Sequence, residues 1–395
     1  MMRGNNLEKD LAKMFALISE RNEKTSEADN FIDKNDPVAE LSKKLHPSCL
    51  NLLVDEIKSE TDSARTYRLI NQDQGMLLPH FRAGQYISLK PLVGNAKISR
   101  PYTISSSPAQ SASFYEITIS LKKGGFFSEH VRKNWKRGTK ITADGPHGNF
   151  YYEPVRDQKK IVAIAGGSGI TPFRSMLLNI LENDDHLSLL LIYGNRHEDE
   201  IIYKDELDQL ALEYPGKFKL VYIISEASAS WRGHQGFISG NFVQSLIDNP
   251  AGYSYFICGP EAMHLYCSDE LAKLGIPRRL LRREIYSTSD NLSNAESFSA
   301  ENTENQVTVS YSYRNKKGRI KASTGETILT SLERAGLAPE SRCRSGECGF
   351  CRTLVLSGQV KVRKEGDSRR AADLKYGFIH PCTTYPTSDL DIDII

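Results

Sequence analysis

Four cysteines near the end of the chain have the side-chain type and spacing that can bind an iron–sulfur cluster. Cys343, Cys348 and Cys351 follow a C-x4-C-x2-C spacing, and Cys382 comes after a longer gap. Iron bound to sulfide prefers soft thiolate ligands, and four thiolates complete two irons. The arrangement is the plant-type [2Fe-2S] pattern. The sequence therefore predicts a one-electron carrier, which needs a source of electrons elsewhere in the chain.

A glycine-rich turn is the second stretch with a chemical use. Residues 165–172 read Ala-Gly-Gly-Ser-Gly-Ile-Thr-Pro and stand between a continuous apolar run and an amphipathic stripe. Such a turn lets backbone N–H groups approach a pyrophosphate at the start of a helix. We expect Thr171 to cap that helix and Pro172 to be its first residue. The alternative is a structural turn, because Pro172 departs from the G-x-G-x-x-G pattern.

A further anion site is expected where Gly124 and Gly125 precede a helix that starts near Ser128. The run from Arg100 to Ser105 reads as one barrel strand, and the next strand leads into this Gly-Gly turn. An exposed strand arginine is the alternative to a ligand-binding role for Arg100.

Length and composition exclude several classes of protein. The chain has 395 residues, 39% hydrophobic and 25% charged, which is typical of a soluble globular protein of about two to four domains. The net charge of +2 gives no reason to expect nucleic-acid binding. No apolar run approaches the roughly 18 residues of a spanning helix, and no export signal is visible. Cys49, Cys258 and Cys267 are therefore expected to be reduced thiols in a cytoplasmic protein.

The elements that must position these motifs change in character along the chain. Short alternating runs from about residue 48 predict a small antiparallel β-barrel, and apolar strands alternating with helices from about residue 159 predict a doubly wound α/β domain. A polar linker and a compact α+β unit with an N-terminal hairpin follow. The predicted divisions are 1–47, 48–156, 157–286, 287–305 and 306–395.

Residues 1–47 predict a short helical extension. One amphipathic helix is expected over residues 7–18, and a second begins at Pro37 after the acidic cap Asp36. We favour packing of these helices on the neighbouring domain over binding to a partner or second subunit.

Five motifs in this order resemble those of the ferredoxin–NADP reductase family. They are Arg-x-Tyr-Thr (100–103), Gly-Gly-x-x-Ser (124–128), Gly-Pro-x-Gly-x-Phe (145–150), Gly-Gly-Ser-Gly-Ile-Thr-Pro (166–172) and Cys-Gly-Pro (258–260). With the cysteine pattern, the chain resembles the three-module reductases over about residues 50–395. The resemblance implies an antiparallel β-barrel that binds flavin, an NAD(P)-binding α/β domain and a [2Fe-2S] ferredoxin domain of the β-grasp type.

The same resemblance implies roles for individual residues around the flavin. Tyr102 would stack on the isoalloxazine, Thr103 would hydrogen-bond near N5, and Arg100 would pair with the flavin phosphate. Glu284 would face the flavin, with a solvated carboxylate as the alternative, and Tyr286 would cover its other face. The remaining residues that would line the flavin are Pro101, Ile119, Ser120, Gly125, Phe126, Phe127 and Ser128.

For the nicotinamide cofactor, the resemblance implies two groups of residues. Gly167, Gly169, Ile170 and Thr171 would hold the pyrophosphate, and Cys258, Gly259 and Pro260 would lie beside the nicotinamide. Thr103, Cys258 and Glu284 would thus stand closest to the hydride path. For Cys258 we expect a packing role rather than a covalent one, since free cysteines are commonly buried.

The choice of cofactors follows from two segments. The Gly145–Phe150 segment resembles FAD-binding members, so FAD is expected rather than FMN. Arg196 could meet the 2′-phosphate of NADPH, whereas Asp199 and Glu200 follow closely and an exposed loop arginine is common. The sequence therefore leans to NADPH and leaves NADH open.

These parts together predict an NAD(P)H-dependent electron-transfer reductase that serves a separate terminal protein, an oxygenase or another metalloprotein. The alternatives are a self-sufficient reductase of a quinone or ferric chelate and a redox-sensing subunit without turnover. Residues 306–395 carry 15 Lys and Arg against 10 Asp and Glu. This positive charge could steer an acidic partner to the cluster, dock the domain on its own flavin domain, or form a solvated face.

Overall fold

The structure is a computed structural model that describes residues 16–17, 19–20, 23–24, 36–45, 47, 49–73, 75–94, 96–183, 186–285, 305–363 and 367–395. The helix predicted over residues 7–18 falls mostly outside the described residues, as do Tyr286 and nearly all of the linker 287–305. Residues 1–47 and 48–395 form two compact units. Among the described residues, no helix combines the length and apolar character that a membrane crossing requires.

In the first unit, helix α1 (Pro37–Leu45) begins at the predicted proline. The carboxylate of Asp36 accepts a hydrogen bond from the backbone N–H of Val38 at 2.8 Å, as expected for an acidic cap. The side chains of Val38 and Leu41 are exposed.

The second unit begins with a six-stranded antiparallel sheet in the order β6-β3-β8-β1-β2-β7. A bridge between Ile104 and Ile117 joins its two edges, so the curled sheet closes as the predicted barrel. Alternate residues point inward, and Leu52, Ile87 and Ile117 are fully buried in its core. Its elements, with a small β4–β5 ribbon, are β1 (Leu50–Ser59), β2 (Ala64–Asn71), β3 (Tyr86–Leu89), β4 (Leu92–Val93), β5 (Ala96–Lys97), β6 (Arg100–Thr103), β7 (Tyr115–Ser120), α2 (Phe126–Asn134) and β8 (Lys140–His147).

A parallel six-stranded sheet follows, in the order β12-β11-β10-β9-β13-β14. The chain leaves β9 in one direction and crosses to β13 on its other side, which is the topological switch of a doubly wound fold. Ligands of such folds bind outside the carboxyl ends of the strands at this switch. The elements are β9 (Lys160–Gly166), α3 (Thr171–Asn183), β10 (Ser188–Asn195), α4 (Lys204–Glu213), β11 (Phe218–Ile224), β12 (His234–Gln235), α5 (Gly240–Leu246), β13 (Tyr253–Gly259), α6 (Glu261–Lys273) and β14 (Leu281–Ile285).

The last domain has a five-stranded mixed sheet in the order β16-β15-β21-β17-β19. The predicted hairpin is present, since β15 and β16 pair antiparallel, and β21 pairs parallel to β15. Ile328 and Leu332 of helix α7 are fully buried against this sheet. The elements are β15 (Gln306–Tyr313), β16 (Lys316–Ser323), α7 (Ile328–Arg334), β17 (Thr353–Ser357), β18 (Val360–Val362), α8 (Ala371–Lys375), β19 (Phe378–Ile379), β20 (Thr384–Pro386) and β21 (Leu390–Ile394).

A partly buried arginine, Arg174 of α3, joins the barrel to the nucleotide domain. Its Nη1 donates to Glu116 of β7 at 2.8 Å and to the carbonyl of Ser105 at 2.9 Å, and its Nε lies 2.9 Å from Glu206 of α4. The guanidinium also lies 4.7 Å from the centre of the Tyr203 ring. The side chains of Arg174 and Glu116 are only 13% and 11% exposed, and Arg68 also donates to Glu116 at 2.9 Å, so Arg174 relies on its carboxylate partners for charge compensation.

Replacing Arg174 with Met is expected to lower the free energy of unfolding by about 3 kcal/mol or more, because two carboxylates lose their buried partner. Urea unfolding of the full chain measures this. The control is Arg137→Met, because Arg137 is 82% exposed in its ion pair with Asp55 and its loss should cost about 0.5 kcal/mol or less. Equal losses for the two variants would contradict the role given to Arg174.

Candidate functional site

A cavity of about 650 Å³ opens where the barrel, the nucleotide domain and the cysteine loop meet. Many residues predicted around the flavin line it, and so do two of the predicted cluster cysteines. The predicted residues that line it are Arg100, Pro101, Tyr102, Thr103, Ser120, Gly125, Phe126, Phe127, Ser128, Thr171, Glu284, Cys343 and Cys348. The structure therefore brings three sequence motifs of different domains to one space.

The barrel wall of the cavity is formed by β6 and the start of α2. Tyr102 and Thr103 follow one another on β6, and the Tyr102 ring lies 5.9 Å from that of Phe127. Burial raises the pKa of Tyr102, so its hydroxyl stays protonated. Gly125 precedes α2, and a Cβ there would lie 2.6 Å from the hydroxyl of Ser128, so the turn needs glycine. An aromatic ring beside a helix start suits a flavin with its phosphate.

The wall of the cavity that comes from the nucleotide domain includes the start of α3, and this helix starts one residue earlier than predicted. Residues Gly167–Ile170 form a 3-10 turn that runs directly into α3, so Thr171 is the first residue of the α-helix rather than its cap. The Thr171 hydroxyl donates to the carbonyl of Ser168 at 3.2 Å, within the turn. The earlier start follows from the glycines, because Gly167 adopts a left-handed φ of 51° and turns the chain straight out of β9.

The two segments predicted for the nicotinamide cofactor lie against each other at the switch of the sheet. A Cβ at Gly169 would stand 2.1 Å from the carbonyl oxygen of Cys258, and one at Gly259 would stand 3.2 Å from Cα of Gly166. Only glycines allow this approach of backbone to backbone. The structure therefore places the turn and the Cys258–Pro260 segment side by side, as binding of one cofactor by both requires.

Some predicted site residues lie outside the cavity wall. Ile119 and Ile170 are buried in the apolar cores of their domains, and Cys258 is fully buried, which matches the packing role expected for it. Ile119 points inward because it alternates with Ser120, which lines the cavity. Arg196 is exposed and its Nε lies 2.7 Å from the carboxylate of Glu226. Tyr286 lies outside the described residues.

Glu284 reaches the cavity from β14, and a buried histidine holds its backbone. His264 of α6 is 1% exposed, and its Nε2 lies 2.8 Å from the carbonyl oxygen of Glu284. Burial, helped by the nearby charge of Arg283, lowers the pKa of His264 to about 4. The imidazole is therefore neutral at pH 7, with Nε2–H as the donor to this carbonyl.

The four predicted cluster cysteines form two pairs. Cys351 and Cys382 have their sulfurs 3.5 Å apart, and the thiols of Cys343 and Cys348 hydrogen-bond to each other. Among the described residues, no three His, Cys, Asp or Glu side chains gather around a single point. Two thiol pairs are what two bridged irons need, since each iron takes two cysteines.

The cysteine loop also supplies N–H donors to its sulfurs. The backbone N–H groups of Ser345 and Cys348 lie 3.5 and 3.4 Å from the sulfur of Cys343. The hydrogen bond from Cys348 and these N–H groups lower the pKa of the Cys343 thiol, against the opposing effect of burial. Gly346 and Gly349, with φ of 81° and 66°, allow the loop to turn its N–H groups inward. This donor set fits a [2Fe-2S] cluster.

Sequence reasoning missed the part of the wall that comes from the cysteine loop itself. Arg342, Arg344, Ser345 and Glu347 line the same cavity as the barrel residues. Burial first, and then the nearby Cys343, raise the pKa of Glu347 to about 7. The positive charge around the cysteines, which includes Arg342 and Arg344, allowed docking on the flavin domain as one of three readings, but nothing in the sequence pattern placed Ser345 or Glu347 in the cavity wall.

The sequence did contain a signal for other missed residues. His147, Gly148, Asn149 and Phe150 line the cavity, and they belong to the Gly145–Phe150 segment that was used only to choose FAD. Tyr86, on the neighbouring strand β3, lines it too. A Cβ at Gly148 would stand 3.0 Å from the Tyr86 ring, so the segment and the ring pack closely.

Comparison with protein families assigns a domain type to each of the three sheets. Residues 51–152 match the oxidoreductase FAD-binding domain, residues 163–269 the oxidoreductase NAD-binding domain, and residues 313–387 the 2Fe-2S iron-sulfur cluster binding domain. The predicted set of cofactors is therefore confirmed as FAD, a nicotinamide nucleotide and a [2Fe-2S] cluster.

Several curated proteins are similar over most of the chain. One is a component of the 1,2-phenylacetyl-CoA epoxidase of Escherichia coli (strain K12), which is 29% identical over 351 residues, covering 87% of this chain and 97% of that protein. Another is the glycine betaine monooxygenase reductase of Pseudomonas aeruginosa (strain UCBPP-PA14), which is 27% identical over 350 residues, covering 86% and 93%.

Two further similarities concern the flavoprotein part and the whole fold. The NADH-cytochrome b5 reductase 1 of Dictyostelium discoideum is 34% identical over 211 residues, covering 53% of this chain and 71% of that protein. The structure of a phthalate dioxygenase reductase superposes with a TM-score of 0.66 at 21% identity, covering 88% of this chain and 98% of that one. This last likeness shows the fold of the three domains.

The low pKa of His264 predicts a pH-dependent stability. An unfolded chain binds a proton at this histidine below about pH 6.5, whereas the folded chain does so only near pH 4, so stability falls as pH drops between these values. The His264→Gln variant keeps a donor for Glu284 and cannot titrate. The advantage of wild type over this variant in urea unfolding should therefore shrink by about 2 kcal/mol from pH 7 to pH 5. A difference that stays constant between pH 7 and pH 5 would refute the prediction.

Proposed function

Because the chain belongs to the ferredoxin–NADP reductase family, we propose that it is the reductase component of an oxygenase system. In this role it takes a hydride from a reduced nicotinamide nucleotide and delivers single electrons through its [2Fe-2S] cluster to a separate oxygenase. Two relatives that match nearly their whole length are named as a component of an epoxidase and as the reductase of a monooxygenase, and these names support the proposal.

One observation carries the proposal. Cys343 and Cys348 line the same cavity as Tyr102 and Thr103 of the barrel and Thr171 of the nucleotide domain. Donor, flavin and cluster can therefore be held within one space without a substrate domain between them. A bound flavin supplies the chemistry that converts a two-electron hydride into single electrons.

The residues of the chain bind, orient and exclude water in this role. Tyr102 and Phe127 provide an aromatic wall for the flavin ring, and the hydroxyl of Thr103, only 3% exposed, is placed to hydrogen-bond the ring system. The start of α2 behind Gly125 and the start of α3 behind Gly169 provide N–H groups for phosphates. Glu284 lines the cavity from β14 of the nucleotide domain, and His264 holds its backbone carbonyl.

The nicotinamide nucleotide that fits best is NADH. The carboxylate of Glu226, just after β11, pairs with Arg196, just after β10, so the arginine considered for a 2′-phosphate is already engaged. That pair lowers the pKa of Glu226, which therefore stays ionised. An ionised carboxylate at a strand end accepts hydrogen bonds from ribose hydroxyls and repels a 2′-phosphate.

The Glu226→Gln variant is therefore expected to shift the ratio of kcat/KM for NADPH over NADH upward by about tenfold, since it removes a repulsive charge and releases Arg196. Steady-state kinetics with both nucleotides and ferricyanide measure the ratio. The matched control is Glu213→Gln at the exposed end of α4, which should leave the ratio unchanged. An unchanged ratio in Glu226→Gln as well would overturn the assignment.

Anaerobic reduction tests the proposed function as a whole. NADH should bleach both the flavin and the [2Fe-2S] absorption of the purified protein, and single electrons should then pass to a one-electron protein acceptor. The Cys382→Ala variant should keep flavin bleaching by NADH and lose electron transfer to that acceptor by at least about tenfold, because one iron loses a thiolate. Reduction of the acceptor at the wild-type rate by this variant would show that the cluster is not on the path.

We also propose a cytoplasmic location, as expected from the sequence. Cys49, Cys258 and Cys267, the three cysteines outside the cluster pattern, are free thiols, as expected of a protein in a reducing compartment. Fractionation of the native cells, with immunodetection of the protein, tests the location.

A further inference from the structure

A single buried carboxylate, that of Glu333, joins the cluster domain to the barrel. Glu333 lies in the last turns of α7 and is 3% exposed. Its Oε1 accepts hydrogen bonds from the backbone N–H of Ser99 at 3.0 Å and from Nη1 of Arg344 at 2.7 Å. Its Oε2 accepts from Nη1 of Arg100 at 3.1 Å. Both oxygens are thus engaged by donors from two different parts of the cavity wall.

The two arginines belong to segments that carry the redox site. Arg344 follows Cys343 in the cysteine loop, is 8% exposed and has a left-handed φ of 54°. A non-glycine residue holds such a φ only where its surroundings enforce it, and the ion pair with Glu333 provides this restraint. Arg100 begins β6, the strand that carries Tyr102 and Thr103 into the cavity.

Weaker neutral contacts surround this ion pair. The hydroxyl of Ser99 donates to the carbonyl of Ser341 at 3.0 Å, and that of Ser88 donates to the carbonyl of Arg342 at 3.3 Å. Arg342 of the loop also lies 3.9 Å from the carboxylate of Asp144 in the barrel, which is too long for a hydrogen bond. Charge-assisted hydrogen bonds are about twice as strong as neutral ones, so Glu333 provides the strongest hydrogen bonds between the cysteine loop and the barrel. Without its negative charge, two buried guanidinium groups would face each other and repel.

We propose that Glu333 is a positioning residue that sets the distance between the flavin site and the [2Fe-2S] loop. This inference rests on the proposed function and assigns its two steps, cofactor binding and electron transfer to the cluster, to different contacts. Binding of nucleotide and flavin depends on the barrel and the nucleotide domain, whereas transfer from flavin to cluster depends on the ion pairs of Glu333 with Arg100 and Arg344.

Stopped-flow reduction by NADH under anaerobic conditions separates the two steps, since flavin bleaching and cluster bleaching have different spectra. The Glu333→Gln variant of the full chain should slow the cluster phase relative to the flavin phase by about tenfold or more. The matched control is Glu340→Gln, whose ion pair with Arg314 of the same domain is exposed, and its two phases should match wild type.

A second readout does not depend on electron transfer. The amide N–H of Ser99 is bound to Glu333, so hydrogen exchange of a peptide spanning residues 96–101 should be faster in Glu333→Gln than in wild type or Glu340→Gln. A further variant, Ser99→Ala, removes only the hydroxyl bond to Ser341 and should slow the cluster phase by a smaller factor, about threefold. If Glu333→Gln is isolated without its cluster, Ser99→Ala decides the question.

Two results would overturn the inference. One is a wild-type ratio of the two phases in Glu333→Gln, or in Ser99→Ala where that variant decides. The other is an equal slowing of the flavin and cluster phases, which would place Glu333 in flavin binding instead. Failure of the proposed function would give a different result, because NADH would then bleach neither the flavin nor the cluster in the wild-type protein.

Discussion

Ion pairs between the domains hold the walls of the cavity together, and the redox site depends on them. Arg174 with Glu116 joins the nucleotide domain to the barrel, and Glu333 joins the cluster domain to the same barrel. Arg363, 3% exposed, lies 3.3 Å from Glu261 and joins the cluster domain to the nucleotide domain. A buried charge without its partner is costly, so each pair tolerates only the docked arrangement in which it forms. Apolar surfaces are non-directional and would fix the separation of flavin and cluster less sharply.

The cysteine loop serves both as a ligand for the cluster and as a wall of the flavin cavity. Its N–H groups point at the sulfur of Cys343, while its outer side chains, Arg342 and Glu347, face the cavity. The N–H groups of the loop backbone are thus used at the cluster site, and its carbonyl groups accept hydrogen bonds from the barrel. The backbone contacts of the loop with the barrel accordingly run through carbonyl groups, such as that of Ser341, which the cluster does not need.

The fold could be predicted from the sequence because its signals are local. Alternation marked the barrel strands, continuous apolar runs marked the parallel strands, and the spacing of cysteines marked the cluster. The site was predicted where a motif carries its own geometry, as at Tyr102 and Ser128. Ile119 was predicted to line the flavin, but its side chain is buried in the barrel core. Successive side chains of a strand point to opposite faces, and the prediction assigned neighbouring residues to the site without regard to this alternation. The positive charge of the last domain allowed docking on the flavin domain without deciding for it, and Glu333 was not predicted because it resembles an ordinary helix residue.

The positive charge of the last domain has a different meaning in the structure than in the sequence. Arg342, Arg344 and Arg363 reach carboxylates of Asp144, Glu333 and Glu261, at 3.9, 2.7 and 3.3 Å. Asp144 and Glu261 belong to the other two domains, and Glu333 is bound to the barrel. Arginines that pair with carboxylates inside the protein are not available to attract a partner. These three arginines are therefore assigned to docking within the chain, which leaves exposed basic side chains of the domain, such as Lys316 and Lys317, for attracting a partner.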